Sequence, residues 1–163
     1  MLGEHHYALT ATWTGDRGTG TSGYRDYDRS VTLAVAGKPE VLASADVPFR
    51  GDRARWNPED LLLAALSECH LLSYLHACVV RGVVVTAYED HAVGTMQQEG
   101  SSGRFTEVVL RPRVEVAEAS MVAEAVAAHE DAHDWCFIAN SVAFPVRHEA
   151  VVEVRGARGE APA

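Results

Sequence analysis

Apolar positions along this chain follow two rhythms. Over the first part of the chain they alternate. Tyr7, Leu9, Ala11 and Trp13 share one face of residues 7–14, and Val31, Leu33 and Val35 share one face of residues 24–35. Both segments read as strands, and residues 41–49 read as a weaker third. Between Asn57 and Cys78 the rhythm changes, with leucine or alanine on nearly every helical bearing. This predicts one long helix, buried on most sides. Its start is marked by Asn57 as N-cap, Pro58 at the first helical position, and Glu59 and Asp60 on the positive end of the dipole. Its stop is Gly82.

Alternation then returns. Residues 83–96 are rich in β-branched side chains, 97–103 form a polar hairpin loop, and 105–116 return as a strand. Pro112 suggests an edge or a bulge there. An Ala-rich stretch over residues 117–133 predicts a second long helix, 136–141 a short one, and 142–154 a closing strand. Residues 155–163 read as a frayed tail. Strands interrupted by two helices make an α+β fold, a single domain over 1–163 with its core at 7–154.

Composition narrows the function. The chain has 163 residues, 47% hydrophobic and 23% charged, with a formal net charge of −9. That balance argues against nucleic acid and against anionic membrane surfaces. No apolar run approaches a membrane span, and the first residues lack a leader pattern, so a cytoplasmic protein is expected. The glycine string at 18–23 lacks the Lys-Ser/Thr and following helix of a phosphate loop.

Three cysteines are too few for a disulfide scaffold. Cys69 lies in the middle of the long helix. Cys136 follows the second helix, flanked by Trp135 and Phe137. Two thiols on separate helices suggest a peroxidatic and resolving pair. Cys78, nine residues beyond Cys69, falls on the opposite side of its helix and reads as packing. A competing arrangement is zinc held by His129, His133, Cys136 and Cys69, with His70 and His76 as further donors. Against it, His129 and His133 among Glu130, Asp131 and Asp134 read as a solvated helix face.

Asn57-Pro58-Glu59, with Cys69 ten residues after the glutamate and a second cysteine after the next helix, resembles the OsmC/Ohr family of thiol-dependent peroxidases. The likeness runs over residues 7–154. It implies antiparallel sheets around two long central helices, an intertwined homodimer, and reduction of organic hydroperoxides. Cys69 would become a sulfenic acid, Cys136 would close a disulfide with it, and a dithiol of lipoyl type would restore both. The resemblance further implies a glutamate, here Glu59, holding an arginine beside the reactive thiol. Arg50 is the first choice, with Arg25 and Arg17 as rivals. Ten residues of helix rise about 15 Å, so Glu59 would have to reach Cys69 across a dimer interface. No cofactor or metal is implied. The alternative reading within the fold is a non-catalytic protein that binds an apolar ligand.

Overall fold

The computed structural model describes residues 3–156; the tail expected at 155–163 therefore lies almost wholly outside the described residues. The chain divides into two compact units, residues 1–62 and 63–163.

In the first unit, β1 (Thr10–Trp13), β2 (Val31–Ala34) and β3 (Val41–Ala43) form an antiparallel meander, with Trp13 opposite Val31 and Val31 opposite Ala43. These strands are shorter than the alternation predicted. Residues 24–30 are taken by a loop in which the Arg29 guanidinium lies 4.3 and 4.2 Å from the ring centres of Tyr24 and Tyr27. It also donates to both residues' carbonyl oxygens. The glycine string folds onto a side chain instead of a phosphate: Asp16 accepts from the Gly18 and Gly20 N–H groups. A one-turn 3-10 helix at Val47–Phe49 ends on Arg50, which sits in the left-handed region at φ 66°. Gly51 follows for lack of room, because a Cβ there would fall 1.5 Å from the Ala45 carbonyl oxygen.

Helix α1 (Pro58–Val80) begins and ends as its sequence signals require. Asn57 Oδ1 accepts the Asp60 N–H at 2.7 Å. At the other end Gly82 takes φ 70°, and the Gly82 and Val83 N–H groups close back on Val79 and Cys78.

The second unit holds two three-stranded sheets. One has the order β4 (Val85–Asp90), β7 (Pro112–Val116), β9 (Val151–Val154); the other has β5 (Val93–Glu99), β6 (Ser102–Leu110), β8 (Val146–His148). Each of the three long strands read from the sequence is thus broken once, and its halves belong to different sheets. The breaks coincide at His91–Ala92, Arg111 and Glu149–Ala150. Asp90 accepts from the Arg111 N–H at 2.6 Å, and the Arg111 side chain pairs with Glu149 at 3.0 Å. The expectation of antiparallel sheets is corrected as well: β6 pairs β8 and β7 pairs β9 in parallel. Pro112 opens β7 at the crease, where a missing N–H costs no ladder bond.

The second helix, α2 (Val122–Trp135), starts later than predicted, because residues 119–121 form a 3-10 turn first. Its Ala125, Ala128 and Ala132 lie at helical spacing and are fully buried against Tyr74, Ala77, Cys78, Val114 and Val116. Burial of α1 on most sides is not observed. Leu66, His70, Tyr74, Ala77 and Cys78 make one buried stripe, whereas Leu72, Leu75, Val79 and Val80 are exposed. By length and composition α1 is also apolar enough to cross a membrane, contrary to the reading of uninterrupted runs.

Candidate functional site

Leu72, Ser73 and His76 follow Cys69 at i+3, i+4 and i+7, so helical periodicity places all four along one side of α1. Asp134, Trp135 and Phe137 face them from the end of α2 and the turn beyond it, enclosing a cavity of about 620 Å³. No Arg or Lys among the described residues lines it. Cys69 is half-buried and Cys136 buried, and both are free thiols. They are neighbours, close enough for Cys69 to push the Cys136 thiol up. The Ala139 N–H also donates to the Cys136 sulfur at 3.4 Å. Burial pushes the Cys136 thiol up to about 11, against the pull of that N–H and with a smaller push from Cys69. Cys78 lies in the core, 1% exposed, with its thiol raised by burial, which fits a packing role. A larger open hollow of about 880 Å³ along the β5–β6 hairpin, lined by Gln97, Gln98, Glu99 and Arg104, offers no cysteine or histidine.

On the buried side of α1, beginning with the residue after Cys69, three histidines gather. His70 Nε2 and His129 Nδ1 are 3.1 Å apart, and each residue is 1% exposed. The Tyr74 ring stacks on His129 at 4.0 Å, and His148 stands 5.5 Å from both histidine rings. Burial, reinforced by the neighbouring histidines, brings His70 down to about 4 and His129 to about 3. Both are neutral near pH 7, so one ring donates to the other. His129 Nε2 has no hydrogen-bond partner among the described residues. The solvated-face reading of His129 is therefore wrong. The acids around it leave by other bearings: Glu130 is exposed and Asp131 pairs with Arg81 at 2.6 Å. The four zinc donors do not assemble either. Among the described residues no three His, Cys, Asp or Glu side chains converge to hold a metal ion, and His129 is committed to His70. The signal for this pair was present in the sequence, since His70 falls in phase with Leu66 and Tyr74.

Comparison with known proteins decides the family. Residues 51–150 match the family model described as OsmC-like protein. This chain belongs to the OsmC-like family. An OsmC-like protein of unknown function from Vibrio cholerae is 31% identical over 91% of this chain and all of its own, with a TM-score of 0.80. An OsmC-like protein from Mycoplasma pneumoniae shares 13% identity at a TM-score of 0.70, covering 91% of this chain and 98% of its own. An organic hydroperoxide resistance protein from Elizabethkingia anophelis shares 18% at 0.68, covering 95% and 100%. Comparison with curated proteins found no match.

The remaining residues singled out by the OsmC-like pattern lie in the first unit. Glu59 occupies the first turn of α1, partly buried and without a basic partner among the described residues. Arg50 and Arg25 are exposed and likewise unpaired there. Arg17 is engaged, its Nε donating to Asp28 at 3.0 Å. Trp135 and Phe137 line the cavity as an apolar wall, while Phe49 and Trp56 belong to the first unit, where Trp56 bridges Ala43.

Proposed function

We propose that this OsmC-like protein is a thiol peroxidase that reduces organic hydroperoxides. The observation that carries the reading is the nearness of the Cys136 thiol to Cys69, which lines an apolar cavity. The Cys69 thiolate attacks the nearer peroxide oxygen. The O–O bond breaks, the alkoxide leaves as alcohol after taking a proton, and the sulfur, oxidised by two electrons, becomes a sulfenic acid. The Cys136 thiol then displaces the hydroxyl: an S–S bond forms, the S–O bond breaks, and the thiol proton departs in water. A dithiol reopens the disulfide by exchange.

A thiolate requires nearby positive charge or donors, and among the described residues no Arg or Lys lines the cavity. We assign that charge to an arginine of a second subunit in a homodimer, held by its Glu59. Arg50 is favoured over Arg25, because a non-glycine residue in the left-handed region carries a backbone cost that a function would justify. The name of the Elizabethkingia anophelis protein supports the substrate class.

The test is peroxide consumption by purified protein with a dithiol, comparing cumene hydroperoxide with hydrogen peroxide. Wild-type protein turns over and Cys69→Ser does not. Cys136→Ser reacts once and stalls as the sulfenic acid. Peptide mapping after peroxide shows a Cys69–Cys136 bond with Cys78 reduced. The apolar lining by Leu72, Trp135 and Phe137 also supports a second reading, a non-catalytic binder of an apolar ligand. Ligand retention without peroxide consumption would favour it.

A further inference from the structure

The peroxidase reading leaves a costly buried polar pair in the core unused. Two histidines, each 1% exposed, occupy positions where leucine or phenylalanine would bury more cheaply. They have given up solvation for a shared bond of 3.1 Å, and one of them keeps a nitrogen without a partner among the described residues. Stability alone does not recommend that exchange.

Their place in the chain suggests what it provides. His70 is the residue after Cys69 on α1, and His129 lies on α2, whose last residue, Trp135, is followed directly by Cys136 as the C-cap. The bond therefore joins the helix that carries Cys69 to the helix that Cys136 caps. A second polar tie lies one turn away on each helix, where the Tyr74 hydroxyl donates to the Ala125 carbonyl at 3.1 Å. The His129 ring is also fixed in plane, stacked on Tyr74 at 4.0 Å and parallel to His70 within 4°. Apolar side chains permit sliding, whereas a hydrogen bond between rings fixes both distance and phase. Disulfide closure needs that accuracy: the sulfurs must come to about 2.05 Å with the Cβ atoms about 3.8 Å apart. One residue of helix slip is about 1.5 Å, enough to lose both the histidine bond and the closing geometry.

We propose that His70 and His129 are positioning residues for the resolving step, their buried bond holding α1 and α2 in the register at which Cys136 reaches Cys69. This rests on the peroxidase reading for its biological setting but not for its test, because closure of the two thiols can be followed without any peroxide. In closure by oxidised dithiothreitol, the protein's two thiols lose two electrons and two protons as the reagent's disulfide is reduced.

Two measurements on the full chain test it, with His70→Leu and His70→Gln compared to wild type. In the first, the Cys69–Cys136 bond is equilibrated against reduced and oxidised dithiothreitol and quantified by peptide mapping. The Leu variant should show at least a tenfold loss in closing constant, about 30 mV for this two-electron couple. The Gln variant, whose amide can still bond His129 Nδ1, should stay within about threefold. In the second, stopped-flow separates the peroxide-dependent formation of the sulfenic acid from the peroxide-independent closure. The Leu variant should slow closure alone. If it fails to fold, His70→Asn, whose amide stops short of Nδ1, carries the same expectations. Wild-type closure in a folded Leu variant overturns the proposal. So does an equal slowing of both steps, or no advantage of Gln over Leu. Absence of any peroxide reaction in wild type would refute the peroxidase reading and leave the dithiothreitol result to decide the positioning role.

Discussion

A histidine denied to solvent must stay neutral, and that requirement has a pH signature. His70 at about 4 and His129 at about 3 both lie below the 6.5 of an exposed histidine, chiefly through burial. Between pH 6.5 and these values the unfolded chain binds protons that the folded chain refuses. Acidification therefore favours unfolding. The contribution of the pair is fully present above pH 6.5 and is lost as pH falls toward 4 and 3. Each histidine adds a slope of at most about 1.4 kcal/mol per pH unit. Urea midpoints measured from pH 7.5 to 5 should fall in wild type. They should fall less in the double variant His70→Leu/His129→Leu; an unchanged slope would mean that the rings are not desolvated as described. At this scale the sequence was only partly readable. Cys78 as packing followed from helix phase. His129 was misjudged because acidic neighbours in sequence were taken for neighbours in space.

Among the elements, α1 was the most legible, since each of its ends is fixed by residues adjacent to it. Gly82 is the clearest case: φ of 70° and two backbone bonds closing on Val79 and Cys78. Gly82→Ala forces a Cβ into the left-handed region and should cost about 1 kcal/mol, read as a drop in urea midpoint without change in slope. A loss below about 0.3 kcal/mol would mean that the cap relaxes freely. The strands were legible in kind but not in number. Residues 83–96 keep their β-branched rhythm through the break, and what divides them is the Asp90 carboxylate capturing the Arg111 N–H, twenty-one positions away. Local pattern carries no record of such a partner. The late start of α2 has the same origin, since residues 117–121 first leave β7 through Ala117 N–H bonding Val84.

For the whole molecule, the decisive fact is the side of α1 that no described residue of its own unit covers. Leu72, Val79 and Val80 are 58%, 75% and 65% exposed, beside Trp135 at 39% and Phe137 at 76%. Such a surface fits the proposed homodimer, whose two-fold interface would bury the same patch from both subunits. Leu72→Glu/Val79→Glu should give a folded monomer by light scattering, with peroxide turnover reduced at least tenfold. Glu59→Ala and Cys69→Ala, each inactive alone, should regain partial activity when co-refolded, because a mixed dimer contains one site with both residues. A wild-type monomer, or no recovery in verified mixed dimers, would remove the shared site.

The two parallel pairings set a schedule for the chain's acquisition of structure. β8 and β9 sit at the edges of separate sheets, and residues 146–154 supply both. Neither sheet can finish until this segment has arrived, and its pairing with residues 108–116 closes a loop of almost forty residues. Such non-local pairing is slow. All three cysteines precede the segment in the chain, so during synthesis they emerge before the unit that shelters Cys78 and Cys136 can close. The interval before closure is a vulnerable one, in which a thiol meant for packing is as open to oxidants as Cys69, the thiol proposed to meet them.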